Sequence, residues 1–508
     1  MSARLPTAAF AWALALVAAT ADADATATST APSRGPDVDD AVVEKFQGRN
    51  GPVFTDWEAP EAILVVTGEL DGYIEPCGCT GKENQKGGLS RRHNFLRAIA
   101  TAGWPTVALD VGGQVKRFGR QTEAKFQSIV DGLRKMGYTG IGFGPGDLRL
   151  PVEELVAAVA PIGDVPTPFV SANVGLLGLD ANITPRFRVV EAGGLKVGVT
   201  TVLGAAAAAA IRNDDIEVVP AEVALAQVAP QLAAAGCDHQ VLLCFATPDE
   251  SQALAEKFPQ FDVVATAGGA DEPPLEPRLL PGGGRLLELG HKGMFAVVVG
   301  FFPAGERIRT QRVPLDARWG ESADMIALLG TYQGKLETLG FDGLGLAPIR
   351  HPSGRRFAGS AACAECHAAA FEVWEGSPHA TALVTLEDAR PRRDADPECL
   401  SCHVTGWAPQ RFEPFEGGFT GMATTPHLAH QGCENCHGPA AAHTAVERGD
   451  VRATEAERDR LRQELVLSLA TPEGKQKAIN NCLECHDLDN SPEFDFDEYW
   501  PSVAHSEE

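Results

Sequence analysis

The pattern Cys-x-x-Cys-His occurs four times in the last third of this 508-residue chain, as Cys363–His367, Cys399–His403, Cys433–His437 and Cys482–His486. Nothing else in the sequence limits the fold so strongly. Two thiols about one helical turn apart can each form a thioether to the edge of a porphyrin, and the imidazole that follows then reaches the iron. The pattern predicts four covalently bound haem c groups, attached at Cys363, Cys366, Cys399, Cys402, Cys433, Cys436, Cys482 and Cys485, with His367, His403, His437 and His486 as iron ligands. Zinc ribbons also use paired cysteines, but zinc does not require His after every second Cys. Structural disulfides fit less well, because cysteines so close in sequence bridge poorly.

From Phe357 onward the chain is dense in Cys, His, Gly and Pro and short of periodic aliphatic residues. Large, flat, apolar porphyrins would supply the missing core. Five histidines of this region stand outside the motifs, His379, His427, His430, His443 and His505, with His351 just ahead of it. Each is a candidate for the second axial position of an iron. An iron held by two imidazoles is closed to substrate, whereas an open one can bind a small molecule. The sequence alone leaves both states available.

The residues between the motifs add to this. Gly359-Ser360, Trp374, Ser377-Pro378-His379-Ala380, Cys402-His403-Val404-Thr405-Gly406, the run Gly432–Pro439 with His443, and Ser491–Phe494 with Trp500 and His505 together resemble tetrahaem cytochromes of the c554 type, over roughly residues 357–508. The resemblance implies that His379, His443 and His505 are distal iron ligands and that the region shuttles electrons in a periplasm. His427 and His430 fall outside the family's pattern.

At the other end, Arg4, the apolar stretch Ala8–Ala19 and the small residues Ala19-Thr20-Ala21 form an export signal too short to span a bilayer. A soluble chain is expected, periplasmic or otherwise exported, with no integral membrane segment after cleavage. The Ala, Thr, Asp and Pro-rich residues 22–58 read as a flexible tether. Lys+Arg 43 against Asp+Glu 68 gives a net charge of −25. That excludes nucleic-acid partners, since phosphate binding needs a basic surface. Periplasmic redox proteins are the expected partners.

Between residues 59 and 316 short apolar runs alternate with helical stretches, which indicates an α/β domain with a buried sheet. Strands are expected at Ile63–Thr67, Thr106–Asp110, Gly140–Phe143, Pro168–Ala172, Val197–Val202, Gln240–Phe245 and Asp262–Thr266. Helices are expected at Ser90–Ala102, Glu123–Lys135, Val152–Val159, Ala221–Ala235 and Glu250–Lys257. Arg285–Leu289, Met294–Phe302 and Arg307–Val313 follow without helices and should finish the sheet in antiparallel fashion. Glu321–Leu339 reads as a helix leading out.

The segments Val66–Gly72, Gly87–Arg92, Leu109–Gly113, Gly146-Asp147-Leu148 and Ser171–Val174 resemble metallophosphoesterases of the periplasmic 5′-nucleotidase type. The resemblance implies a dinuclear metal centre held by Asp-x-His, Gly-Asp and Asn-His ligands. Here Glu69 and Asp71 stand in the first motif, Gly113 replaces the Asp of the second, and no Asn-His pair follows Gly144. His239 and His291 lack the expected neighbours. A second metal in this domain is therefore not expected. Glu69, Asp71, Asp110 and Asp147 are left to loop and cap roles or, alternatively, to one hard cation. Cys77 and Cys79 suit a soft metal, a disulfide, sulfur chemistry or simply a structural loop. Cys237 and Cys244, flanking a strand, should be buried or paired.

The sequence thus predicts a signal peptide (1–21), a linker (22–58), an α/β metallophosphoesterase-like layered sandwich (59–316), a helical connector (317–356) and a haem-packed, mostly α-helical or irregular multihaem cytochrome c domain (357–508). The expected function is electron transfer by an exported tetrahaem c-type cytochrome, its N-terminal domain recognising a partner or substrate without hydrolysing it. Two alternatives stay open: a multihaem oxidoreductase acting on a small nitrogen or sulfur compound, and a bifunctional metal-dependent phosphoester hydrolase.

Overall fold

A strand that is apolar on both faces must be covered on both faces, and every residue of Ala62–Thr67 is buried. Its alternate side chains enter two different cores. Leu64 and Val66 pack with Val199, Leu243 and Ala265 of a second sheet, while Ile63 and Val65 pack with Phe95 and Ile99 of the helix Leu89–Thr101. The computed structural model, which describes residues 31–76, 84–488 and 490–505, builds this pattern into a helix–sheet–sheet–helix sandwich. The export signal and the Cys77 and Cys79 pair lie outside the described residues.

The first sheet has the order Ile308–Pro314, Phe295–Phe301, Ala62–Thr67, Thr106–Asp110, Tyr138–Ile141. The second runs Arg278–Leu279, Arg285–Glu288, Val263–Thr266, His239–Phe245, Leu195–Leu203, Arg188–Ala192. Helices Ala221–Ala234 and Pro248–Lys257 cover the outer face of the second sheet. The long helix Ala323–Gly343 leaves the last strand and buries Met325, Leu329, Tyr332 and Leu336 in the core beside Arg120–Lys135. The expected connector is therefore an integral layer of the α/β domain.

Several expectations need correction. The three last strands do not finish one sheet: Phe295–Phe301 and Ile308–Pro314 pair antiparallel in the first, whereas Arg285–Glu288 lies in the second, parallel to Val263–Thr266 and antiparallel to Arg278–Leu279. Pro168–Ala172 is not a strand; Phe169 makes a single bridge to Ile141. The linker is not a tether where it is described. Asp40–Asn50 is a helix, and the buried Arg318 guanidinium donates to the Phe46 and Gly51 carbonyls at its C-terminal end, 2.8 and 2.9 Å away. Of the alternatives buried or paired, Cys244 is fully buried and Cys237 partly so, both as free thiols, and burial pushes the Cys244 thiol up to about 12.

The loops beyond the carboxyl ends of the first sheet's strands are tied together by Asp147. One carboxylate oxygen accepts the Gly113 and Gly144 N–H groups (2.9 and 2.8 Å), and the other accepts that of Val115 (3.0 Å). Full burial pushes this carboxyl up to about 7 despite the three donors. The contribution of a group raised in the folded state is complete below its unfolded pKa and fades as pH rises through the folded one. Asp147→Asn turns an amide N–H₂ toward a backbone donor, at a cost of about 1–3 kcal/mol. Thermal melts should therefore show a larger destabilisation by Asp147→Asn at pH 5 than at pH 8.

Candidate functional site

The C-terminal unit has one small apolar cluster, in which Leu383, Leu386, Leu400, Val404, Trp407, Phe419 and Leu428 are buried. The four motifs are instead joined by polar contacts. Glu434, between the cysteines of the third motif, is 3% exposed. Its carboxylate accepts the N–H groups of Ala358, Gly359 and Ala440 at 2.9, 2.7 and 2.7 Å, which clamps the chain entering the first motif. Burial raises the Glu434 carboxyl, and those three donors oppose the rise. Next to it, Asn435 Nδ2 donates to the Val404 carbonyl after the second motif at 3.0 Å. Asn481, in the helix Pro472–Leu483 that brings in the fourth motif, donates to the Cys436 carbonyl at 2.9 Å. Cysteines of different motifs become neighbours as a result: Cys363 of Cys433, and Cys402 of Cys485.

The motif histidines are oriented as iron ligands are. His403 Nδ1 lies 2.7 Å from the Ala382 carbonyl, His437 Nδ1 2.8 Å from the Leu465 carbonyl, and His486 Nδ1 3.0 Å from Ser491 Oγ. A ring that donates from Nδ1 keeps its Nε2 lone pair for a metal. Burial pushes the pKa of all three rings down. Burial thus favours the neutral imidazole, the state that binds a metal ion.

The histidines outside the motifs divide into two groups. His379 faces His486 with ring centroids 6.1 Å apart, and His505 faces His437 at 5.7 Å. Two imidazoles on opposite sides of one metal stand about 6 Å apart, from metal–nitrogen bonds of about 2 Å and about 1 Å more to each ring centre. His443 is the third; burial lowers its pKa, with His367 close enough to lower it further. His430 and His351 are different, because the N–H groups of Leu383 and Ser353 donate to their Nδ1 atoms. That contact places the neutral ring's proton on Nε2. His427 packs beside Gly359. The residues present thus fit covalent haem.

The strand-end loops of the α/β domain do not fit a dinuclear metal centre. Asp110 accepts from Thr67 Oγ1 at 2.6 Å, Gln114 Nε2 at 2.7 Å and the Gly112 N–H at 2.9 Å. The fully buried Arg92 guanidinium lies 3.4 Å from the same carboxylate and supplies the positive charge there. Glu69 accepts from the Gly268 N–H at 2.9 Å and faces His291 at 3.4 Å, while Asp71 faces Lys116 at 3.8 Å. Burial raises the Glu69 carboxyl. His239 stacks on Phe301, far along the sheet from these loops. Among the described residues no cluster of His, Cys, Asp and Glu is arranged to hold a metal ion.

Sequence reasoning did not single out Arg92, Gln114, Glu434 or the pair Asp396 and Glu398. Asp396-Pro397 was readable as a helix start, since Asp caps the helix Pro397–His403 and Pro takes its first turn. Arg92 gave no such signal.

Residues 362–438 match the family model described as cytochrome c554 and c-prime. A cytochrome c-554 from Nitrosomonas europaea is 32% identical over 96 residues, a stretch that covers 16% of this chain and 38% of that protein. Among solved structures, a sulfate thiohydrolase from Thermus thermophilus superposes with a TM-score of 0.47 at 14% identity, over 58% of this chain and 64% of that one. A 5′-nucleotidase precursor, also from Thermus thermophilus, gives 0.44 at 18% identity (55% and 59%). A calcineurin-like phosphoesterase from Bacillus subtilis gives 0.43 at 12% identity (54% and 97%). The cytochrome c554 family implies covalently bound haem c and a haem electron-transfer role, and this chain carries a cytochrome c554 domain in its C-terminal unit.

Proposed function

We propose that this protein is an exported electron carrier that binds four haem c groups in its C-terminal unit, with an α/β domain that recognises a partner or substrate without hydrolysing it. The observation that carries the reading is the pairing of motif histidines with histidines from elsewhere, at the spacing of axial ligands on one iron. His379 would stand opposite His486, His505 opposite His437, and His443 opposite His367. Bound haem supplies one-electron cycling between ferric and ferrous iron. The chain's own groups orient the imidazoles through the carbonyls of Ala382 and Leu465 and the hydroxyl of Ser491.

The contacts between Cys363 and Cys433 and between Cys402 and Cys485 bring the motifs together in two pairs, the arrangement that short-range electron transfer needs. Among the described residues no helix is long and apolar enough to cross a membrane. The excess of acidic side chains favours redox partners with basic surfaces.

A second reading, an oxidoreductase acting on a small nitrogen or sulfur compound, is favoured by one observation. The two ring pairs leave out both His367 and His403; His443 lies near His367, whereas the His430 beside the second motif is held through Nδ1 by Leu383. An iron at the second motif would then keep an open face.

Pyridine haemochrome assay of the exported full-length protein should give four haem equivalents per chain. A count of zero would end the cytochrome reading, and a count below four the tetrahaem one. His379→Ala, His443→Ala and His505→Ala should each convert one haem from low spin to high spin in electron paramagnetic resonance, whereas His430→Ala should convert none. A high-spin signal in the unsubstituted protein would select the second reading over the carrier.

A further inference from the structure

The helix that carries the second motif is fastened to the α/β domain as well as to its own unit. Asp396, 5% exposed, caps that helix by accepting the Glu398 N–H at 3.0 Å. Its two oxygens also accept Gln121 Nε2 at 2.8 Å and Gln333 Nε2 at 2.9 Å, one from each of the helices Arg120–Lys135 and Ala323–Gly343. The Gln121 amide donates as well to the buried Tyr332 hydroxyl at 3.1 Å. One residue into the motif helix, Glu398 accepts Lys125 Nζ at 2.6 Å, with Arg117 at 4.0 Å. Burial would raise the Glu398 carboxyl, but Lys125 and then Arg117 hold it below the usual range. Lys125 is 8% exposed, and the Arg117 guanidinium covers the Phe412 ring at 3.6 Å. Arg393, three residues before Asp396, makes an ion pair with Glu75.

These contacts do more than glue two domains together. Glu398 precedes His403 by five residues on one helix, about 7.5 Å of rise. A unit charge at roughly 10 Å, through protein with an effective dielectric constant of about 20, changes a redox equilibrium by about tenfold or more.

We propose that the α/β domain sets the reduction potential of the second haem site, with Lys125 as the positioning residue that neutralises Glu398 behind the Cys399–His403 motif. This rests on the tetrahaem reading above. The α/β domain thereby acts on electron transfer through a lysine that crosses to the helix of the second motif. Removing Lys125 leaves a negative charge near the iron, favours ferric over ferrous, and lowers that potential alone.

The test is a potentiometric titration of full-length holoprotein at pH 8, where Glu398 stays ionised, after counting haems. Lys125→Met should lower the midpoint of one of the four one-electron components by roughly 59 mV, a tenfold rise in its ferric-to-ferrous ratio at a fixed poise, and leave three in place. Lys125→Arg should leave all four unchanged. The double substitution Lys125→Met with Glu398→Gln should return the shifted component toward its original value, which a merely structural loss would not do. Four haems with no component moved, with all four moved together, or with no recovery in the double variant would overturn the inference. Fewer than four haems in the unsubstituted protein would instead overturn the reading beneath it.

Discussion

One buried carboxylate holds the haem unit in register. Glu434 belongs to the third motif, yet the N–H groups it accepts come from Ala358 and Gly359 before the first motif and from Ala440 after the third. Hydrogen bonds to a charged acceptor contribute about 1.5–3 kcal/mol each, and a buried carboxylate stripped of its donors costs more than that. The segments cannot slide past one another without exposing this cost. With a single small aliphatic cluster beneath them, the motifs owe their relative placement to such polar ties. That placement is what lets histidines distant in sequence face each other.

The difference between what could be read from the sequence and what could not follows from this dependence. The motif residues were legible because covalent attachment fixes their spacing within five positions. His379 and His505 came only from the family resemblance, since each faces a histidine of a different part of the unit and tertiary closure decides the pairing. What separates His430 from them is one N–H, that of Leu383, which no spacing encodes. In the α/β domain the apolar strands Ala62–Thr67 and His239–Phe245 stood out, whereas Arg188–Ala192, an edge strand with Arg188 and Glu191 in it, did not. The helix Asp40–Asn50 was hidden for a related reason: its place is set by Arg318, far along the chain, whose guanidinium binds its last carbonyls.

The strand-end loops of the α/β domain are tied to one another by buried side chains. Arg92 puts a fixed positive charge beside Asp110, and unlike a metal it carries no open coordination position. Glu69 and Asp71 have positive φ values of 45° and 55°, so the loop turns back sharply at the carboxyl end of the central strand Ala62–Thr67. Its next residue, Gly72, also has a positive φ, 90°, and a Cβ there would meet Lys125 Cδ at 3.2 Å. The bare glycine lets the lysine stem pass close against the loop on its way to Glu398. The loop after Ala62–Thr67 thus forms the wall along which the lysine reaches the helix of the second motif.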